Sequence, residues 1–122
     1  MKKLFLGLFL LFLSACRTDP TLEGHTYILQ DSSLTITLSF DTHGHRYFGQ
    51  AVNKYFGTYT TNQNQIHFST PQSTMLSGDE EDLQTEDIYL THLPLATSYE
   101  LTEDTLILTL SNRQRLIFSY QD

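Results

Sequence analysis

The residues best suited to metal chemistry are five histidines, two of which, His43 and His45, stand on either side of Gly44. Imidazole nitrogens at this spacing could bind a metal ion weakly, but a stable site needs three or four converging ligands with supporting hydrogen bonds. The sequence offers only this pair. We therefore interpret His43 and His45 as parts of a surface turn and predict neither a metal site nor a cofactor.

The hydroxyl and carboxylate residues show no catalytic spacing. Ser73 and Ser77 lack the Gly-x-Ser-x-Gly turn of a nucleophilic serine, and the chain has no phosphate-binding glycine loop and no HExxH pair. The acidic run Asp79–Asp82 lacks the alternating ligands and central glycine of a calcium-binding EF-hand loop, so a solvated helix start is the better interpretation. We predict no catalytic residue and no enzymatic activity.

One chemical modification is indicated at Cys16, the only cysteine. Lys2 and Lys3 precede ten apolar residues, which is the pattern of a secretory signal peptide, and Leu13–Cys16 resembles the lipobox of bacterial lipoproteins. That resemblance implies cleavage before Cys16, fatty acylation of its thiol and new amine, and stable membrane attachment. Residues 1–15 are then a lipoprotein signal peptide. The alternative is a plain signal peptide with an incidental cysteine.

Residues 16–23 are short and polar, and we interpret them as a lipidated tether. In enterobacteria-like systems an aspartate after the lipidated cysteine retains the protein in the inner membrane. Arg17 occupies that position here. The resemblance therefore favours a protein of the cell envelope, anchored in the outer membrane and facing the periplasm.

The chain is acidic, with 7 Lys and Arg against 14 Asp and Glu and a formal charge of −7. Loss of Lys2 and Lys3 with the signal peptide would make it more acidic. Nucleic-acid binding needs a basic face, so we predict no nucleic-acid partner. The length suits one domain, which we place at residues 24–122.

Alternation of apolar and polar residues predicts a mainly β domain. The clearest pattern is Leu34–Asp41, in which Leu34, Ile36, Leu38 and Phe40 should share one buried face. Further strands are predicted at 25–30, 45–50, 65–69, 98–101, 105–110 and 114–120.

The centre of the domain is the segment Gly49–Tyr59, which combines two glycines, an asparagine and three aromatic residues. Glycine permits unusual backbone angles, and asparagine favours turns, so the segment predicts a strand, a tight corner at Asn53 and a returning strand. The alternative is an ordinary hairpin. We expect the Asn53 side chain to hydrogen-bond the local backbone of the corner.

The segment Thr70–Gly78 is predicted as a loop, and Asp79–Leu93 as the one substantial helix, with Leu83, Leu90 and Leu93 in a rough apolar stripe. The fold class is therefore α+β and mainly β. We expect a strongly bent antiparallel sheet or a cracked β-barrel of about eight strands, with one helix packed on it.

The order of these elements resembles the META domain, the family of the heat-inducible HslJ lipoproteins, over about His25–Tyr120. Its most specific motif, Gly-x-x-Cys-Asn-x-aromatic-x-Gly-x-aromatic, is matched by Gly49, Asn53, Tyr55, Gly57 and Tyr59. A second motif, Thr-x-Met-x-Cys, is matched by Ser73–Ser77 around Met75. The closing motif is matched by Tyr99–Leu101, Leu106–Leu108 and Leu116–Phe118.

This chain has Val52 and Ser77 where many members of the family have cysteine. The two family cysteines are placed to pair, so the resemblance implies that Val52 and Ser77 occupy the positions of a lost disulfide. Their Cα atoms should then lie within about 7 Å of each other.

The family is associated with heat response, novobiocin tolerance and, in parasites, virulence or secretion, and no enzymatic activity is established for it. The resemblance therefore implies a non-enzymatic envelope lipoprotein that binds a protein partner or supports envelope integrity and stress tolerance. One alternative is a carrier of an apolar ligand or lipid in the barrel interior, and another is a chaperone similar to the pilot lipoproteins of secretins. A filled core with an exposed apolar groove would favour partner binding, whereas an apolar cavity would favour the carrier.

Overall fold

Nine strands and one α-helix make up the part of the chain that the computed structural model describes, residues 21–121. In chain order these are β1 (Thr26–Leu29), β2 (Thr37–Phe40), β3 (Arg46–Gln50), β4 (Lys54–Asn62), β5 (Gln65–Phe68), β6 (Gln72–Ser73), α1 (Glu80–His92), a 3-10 turn (Leu93–Leu95), β7 (Ala96–Leu101), β8 (Thr105–Leu110) and β9 (Arg115–Tyr120).

The strands form one antiparallel sheet that closes into a barrel. Around the barrel the order is β3, β2, β1, β9, β8, β7, β5 and β4, and β4 pairs back to β3. The predicted fold, mainly β with about eight barrel strands and one helix, is confirmed. The prediction of a loop at Thr70–Gly78 is wrong at Gln72 and Ser73, which pair with Phe56 and Tyr55 as the extra strand β6.

The barrel is weakest where β5 meets β7. Gln65 and Ser98 form one register pair there, beside a hydrogen bond from the Tyr99 N–H to the Asn64 carbonyl oxygen (2.9 Å). On its other edge, β7 pairs with β8 in continuous register from Ser98 to Leu101. The cylinder is therefore closed but carries a narrow seam.

The two ends of the barrel differ, and we call them the helix end and the far end. At the helix end, β1 finishes at Leu29 and α1 lies with Tyr89 buried in the core. At the far end, the Gly24 N–H donates to the Phe40 carbonyl oxygen (2.8 Å) as the chain approaches β1. Leu22 is buried and packs in the core, so the folded part includes residues that the sequence interpretation assigned to the tether.

Side chains fill the barrel interior. Ile36, Leu38 and Phe40 are all fully buried, which confirms the register predicted from their alternation. Edge-to-face aromatic pairs connect strands that have one other strand between them, with ring centroids 5.0 Å apart for Phe40 and Tyr59 and 5.1 Å apart for Tyr47 and Phe68. The observed strand β2 begins at Thr37, whereas the predicted strand began at Leu34, so the observed strand is shorter at its start.

The helix lies where it was predicted, and Leu90 and Leu93 of the predicted stripe pack with the core. Its buried members are Glu86 and Tyr89, and Leu93 is buried in the 3-10 turn that follows. The spacing 86, 89, 93 is one helical face, so a carboxylate and a phenol join the leucines on the side that faces the barrel. Ile88 is 60% exposed and faces away from the core.

Candidate functional site

Two glycine–tyrosine pairs hold the β3–β4 ribbon together. Gly49 lies opposite Tyr55, and Gly57 lies opposite Tyr47. A Cβ atom on either glycine would come within 2.6 Å of the opposing tyrosine oxygen. Each tyrosine therefore lies over the opposing glycine, an arrangement that stabilises bent antiparallel strands.

The hydroxyl groups of these tyrosines are all used. Tyr47 donates to the Ser69 carbonyl oxygen (2.9 Å), and Tyr55 donates to the Thr37 carbonyl oxygen. Because Tyr55 has one proton, the 2.6 Å contact with the Tyr89 hydroxyl must be a bond that Tyr89 donates. Burial raises the pKa of Tyr47 to about 12, and it also raises the pKa values of Tyr55 and Tyr89. These phenols are neutral at physiological pH and serve as hydrogen-bond donors.

Asn53 connects the corner of the ribbon to the helix. Its backbone N–H donates to Glu86 Oε2 (2.6 Å), and its side-chain Nδ2 donates to Glu86 Oε1 (2.9 Å). The relative exposures of Asn53 and Glu86 are 4% and 6%. The carboxylate is thus balanced by two amide donors in a site with little water.

The side-chain oxygen of Asn53 binds the segment that precedes the helix. Oδ1 accepts from the Leu76 N–H (2.7 Å) and from Thr74 Oγ1 (3.1 Å). The prediction that Asn53 bonds the local backbone of its own corner is therefore wrong. Its partners lie 21 to 33 residues away, so one side chain joins the corner, the 74–76 segment and α1.

Sequence reasoning missed Glu86 as part of this network. The helix contains five carboxylates, and nothing in composition separates Glu86 from the other four. The signal that could have found it is its position three residues before Tyr89, which places both on the same helical face.

The remaining motif residues have distinct environments. Tyr59 is buried against Phe40, whereas Met75 is 91% exposed. Val52 is partly buried, and a Cβ atom on Gly78 would lie 2.8 Å from Val52 Cγ1. Val52 therefore packs beside Gly78, the residue that follows Ser77. The distance between the Cα atoms of Val52 and Ser77 stays a prediction. Cys16 lies outside the described residues.

No group of three or more His, Cys, Asp or Glu side chains converges within residues 21–121. His43 and His45 are exposed in the β2–β3 turn, where His45 has a positive φ of 51°. None of the helical segments in this part of the chain has the length and apolar character needed to cross a membrane.

An open groove of about 580 Å³ lies at the helix end, between α1, the β1–β2 turn and the start of β9. The partly buried Leu29 and Leu116 give it apolar walls, the core residues Ile36 and Tyr89 line its inner side, and Ile88 borders it from the helix. Asp31 and Arg115 add opposite charges to its lining. The groove is therefore an apolar surface with a polar rim, outside the filled barrel interior.

Known structures share this fold at low sequence identity. An NMR structure of a protein from Burkholderia xenovorans matches with a TM-score of 0.69 and 20% identity, over 86% of this chain and 93% of that one. A second NMR structure gives 0.62 and 16%, over 80% and 90%. A DUF4847 family protein from Bacteroides vulgatus gives 0.54 and 15%, over 71% and 61%. Among curated protein sequences, none matches the chain.

The family itself is identified by sequence. The profile of the META domain matches residues 20–122, which covers the barrel, the helix and the Asn53 corner together. The Gly49–Tyr55 and Gly57–Tyr47 pairs and the Asn53 corner give the first motif of this family a physical explanation. The chain belongs to the META domain family.

Proposed function

We propose that this META domain protein is a non-enzymatic envelope lipoprotein that binds a segment of a protein partner in the groove at the helix end of its barrel. In this role it supports envelope integrity under stress. The observation that carries the proposal is a barrel interior filled with side chains beside an open apolar groove of about 580 Å³.

The filled interior argues against a carrier of lipid or another apolar ligand. Tyr27, Phe68 and Phe118 are fully buried in the interior, and Leu93 is fully buried beneath the helix end. The Tyr55–Tyr89 hydrogen bond fixes the helix over the strands. A ligand would have to displace close-packed side chains and break this bond.

The composition of the groove suits a peptide segment. Ile88 is 60% exposed, and packing of an apolar side chain of a partner against it would remove its apolar surface from water. Asp31 and Arg115 provide charges of both signs that could fix the orientation of a bound chain.

The position of the groove also suits a lipid-anchored protein. The chain approaches the barrel at the far end, beside Phe40, and the groove lies at the helix end. A tether from Cys16 would therefore leave the groove accessible from the aqueous side of the membrane.

The proposal is tested by crosslinking the lipidated protein in its native envelope and recovering it with bound partners. Ile88→Glu should abolish recovery of the partner, because it places a charge on the apolar wall of the groove. Gln84→Glu is the matched control, since it adds the same charge to an exposed position of the same helix. Cys16→Ala should lose both lipidation and recovery.

Equal recovery with wild type and Ile88→Glu would reject the groove as the binding surface, and absence of any specific partner would reject the partner-binding function. A deletion strain should be more sensitive to heat and to novobiocin. Complementation with Gln84→Glu, but not with Ile88→Glu, should restore tolerance if the groove carries the function.

A further inference from the structure

The outer face of the β3–β4 ribbon exposes two phenylalanines side by side. Phe48 and Phe56 are directly opposite in register, and they are 48% and 50% exposed. We call this surface the ribbon face; its outward residues are Arg46, Phe48, Gln50, Lys54, Phe56 and Thr58. The adjoining segment after β6 exposes Met75 and Leu76, so four of the seven large exposed hydrophobic residues found within residues 21–121 lie on or beside this face.

The charge of the ribbon face is opposite to that of the protein. Its outward positions include Arg46 and Lys54 and no acidic residue, although the formal charge of the chain is −7. Acidic residues lie at its two ends: Asp41 pairs with Arg46 at 3.6 Å, and the buried Glu86 accepts from the Asn53 N–H beside Lys54 at 2.6 Å. Aromatic side chains flanked by cationic ones are typical of surfaces that lie in the interface of an anionic bilayer.

The point at which the chain reaches the barrel brings this face close to a membrane. Five residues separate Cys16 from Leu22, which is buried in the core, and they span at most about 20 Å when fully extended. The Gly24 N–H binds the Phe40 carbonyl oxygen, and Phe40 lies opposite Tyr47 of the ribbon. A lipid on Cys16 would hold the ribbon face within reach of the headgroups.

We infer that the ribbon face is a second membrane contact, which docks on an anionic lipid surface and orients the barrel there. Phe48 and Phe56 enter the interface, and Lys54 and Arg46 contact lipid phosphates. The groove, which lies beside the β1–β2 turn and the start of β9, then stays accessible from the aqueous phase. This inference rests on the lipid anchoring included in the proposed function.

The test uses the absence of tryptophan from the chain, which makes a single substitution a clean fluorescent reporter. Full-length lipidated Phe48→Trp is reconstituted into vesicles of phosphatidylcholine with phosphatidylglycerol, with brominated acyl chains as the quencher. Ile107→Trp is the matched reporter, because Ile107 is an outward residue of β8, on the wall of the barrel opposite the ribbon. The tryptophan of Phe48→Trp should shift to the blue and lose fluorescence, and that of Ile107→Trp should do neither.

A second variant tests the charge. Added to Phe48→Trp, Lys54→Gln should reduce the quenching in phosphatidylglycerol vesicles and leave it unchanged in phosphatidylcholine alone. Circular dichroism of each variant checks that the barrel is folded. If the Phe48→Trp protein floats with the vesicles but its tryptophan is no more quenched than that of Ile107→Trp, the inference is overturned and the lipid anchor stands.

Three further outcomes relate this inference to the proposed function. A protein that neither floats nor is quenched with added vesicles overturns both the anchor and the ribbon-face contact. A photocrosslinker at position 48 that captures a protein in cells, with no quenching in protein-free vesicles, assigns the face to a protein partner and rejects the lipid contact. Loss of partner recovery in Ile88→Glu, with quenching intact, supports the two surfaces as independent.

Discussion

The β3–β4 ribbon and the β8–β9 hairpin are antiparallel pairs of the same barrel, yet different interactions hold them together. In β8–β9, alternation alone places Leu106, Leu108 and Phe118 inside and Ile107 opposite Ile117 outside. In β3–β4, two glycines fit beneath two tyrosines, and the corner is held by a buried network around Asn53. The first region needs apolar residues of suitable volume, whereas the second needs particular residues at particular positions.

This difference teaches where the sequence of the domain is constrained. A side chain in β8–β9 can be replaced by another of similar size at modest cost, because packing depends on volume. The ribbon has no such freedom, because a methyl group on Gly49 has no space and an unpaired donor beside Glu86 has no water to bind.

The largest expected effect is that of Gly49→Ala. The added Cβ would collide with the Thr37 carbonyl oxygen and the Tyr55 hydroxyl, so we expect the free energy of unfolding to fall by about 3 kcal/mol or more. Denaturant unfolding measures it. Thr109→Ala, on the outer side of β8, is the control and should cost less than about 1 kcal/mol. Equal losses in the two variants would show that the ribbon is no more constrained than the hairpin.

Glu86→Ala should follow, with a loss of about 3 kcal/mol. It removes the acceptor of both the Asn53 N–H and the Asn53 amide and leaves buried donors unpaired. Asp87→Ala, at the next and exposed position of the helix, should change stability by less than about 0.5 kcal/mol. A double-mutant cycle with Asn53→Ala should be strongly non-additive, and simple additivity would contradict a shared network.

Val52→Cys with Ser77→Cys sharpens the comparison by adding a bond beside the Asn53 corner. If the Cα atoms lie within about 7 Å, the pair should oxidise spontaneously and raise stability by about 2–4 kcal/mol, through restriction of the unfolded chain. Mass spectrometry and unfolding with and without reductant measure this. Two free thiols under oxidising conditions would break the alignment of Val52 and Ser77 with the family cysteines.

Tyr47→Phe should have the smallest effect on the free energy of unfolding at neutral pH. Its effect appears in the pH dependence of stability, which tests the burial of a tyrosine of the ribbon. The pKa of Tyr47 is raised from 10.0 to about 12 by burial, so its contribution to stability is complete below pH 10 and is lost as pH rises toward 12. Phenolate absorbance and circular dichroism should therefore change together above pH 10. In Tyr47→Phe the loss of stability over this range should be less steep, and an unchanged slope would contradict the assignment.

Patterns of period two gave reliable predictions of the barrel. The alternation of Ile36, Leu38 and Phe40 correctly predicted three buried residues. When only one face of a strand is buried, a shift of one residue in register would expose all of its apolar side chains, so the register is fixed. The helix could be located from its acidic start and Pro94 for a similar reason, since both signals are local.

The partners of Asn53 could not be predicted in the same way. Glu86 is 33 residues away, and its exposed neighbours Glu81 and Asp87 have the same chemistry. Its spacing from Tyr89 places Glu86 on the buried face of the helix, but only the three-dimensional meeting of the corner with the helix identifies Asn53 as its partner. The strand β6 was missed because two residues are too short for a periodic pattern.

The position of β1 between β2 and β9 has a consequence for the order of folding. Tyr27 pairs with Tyr120, so one edge of β1 stays without its neighbour until residues 115–120 have been synthesised. Contacts of such long sequence separation carry a high loop-closure entropy and slow the folding transition. Until β9 has been synthesised, the growing chain would present this edge as a template for aberrant pairing.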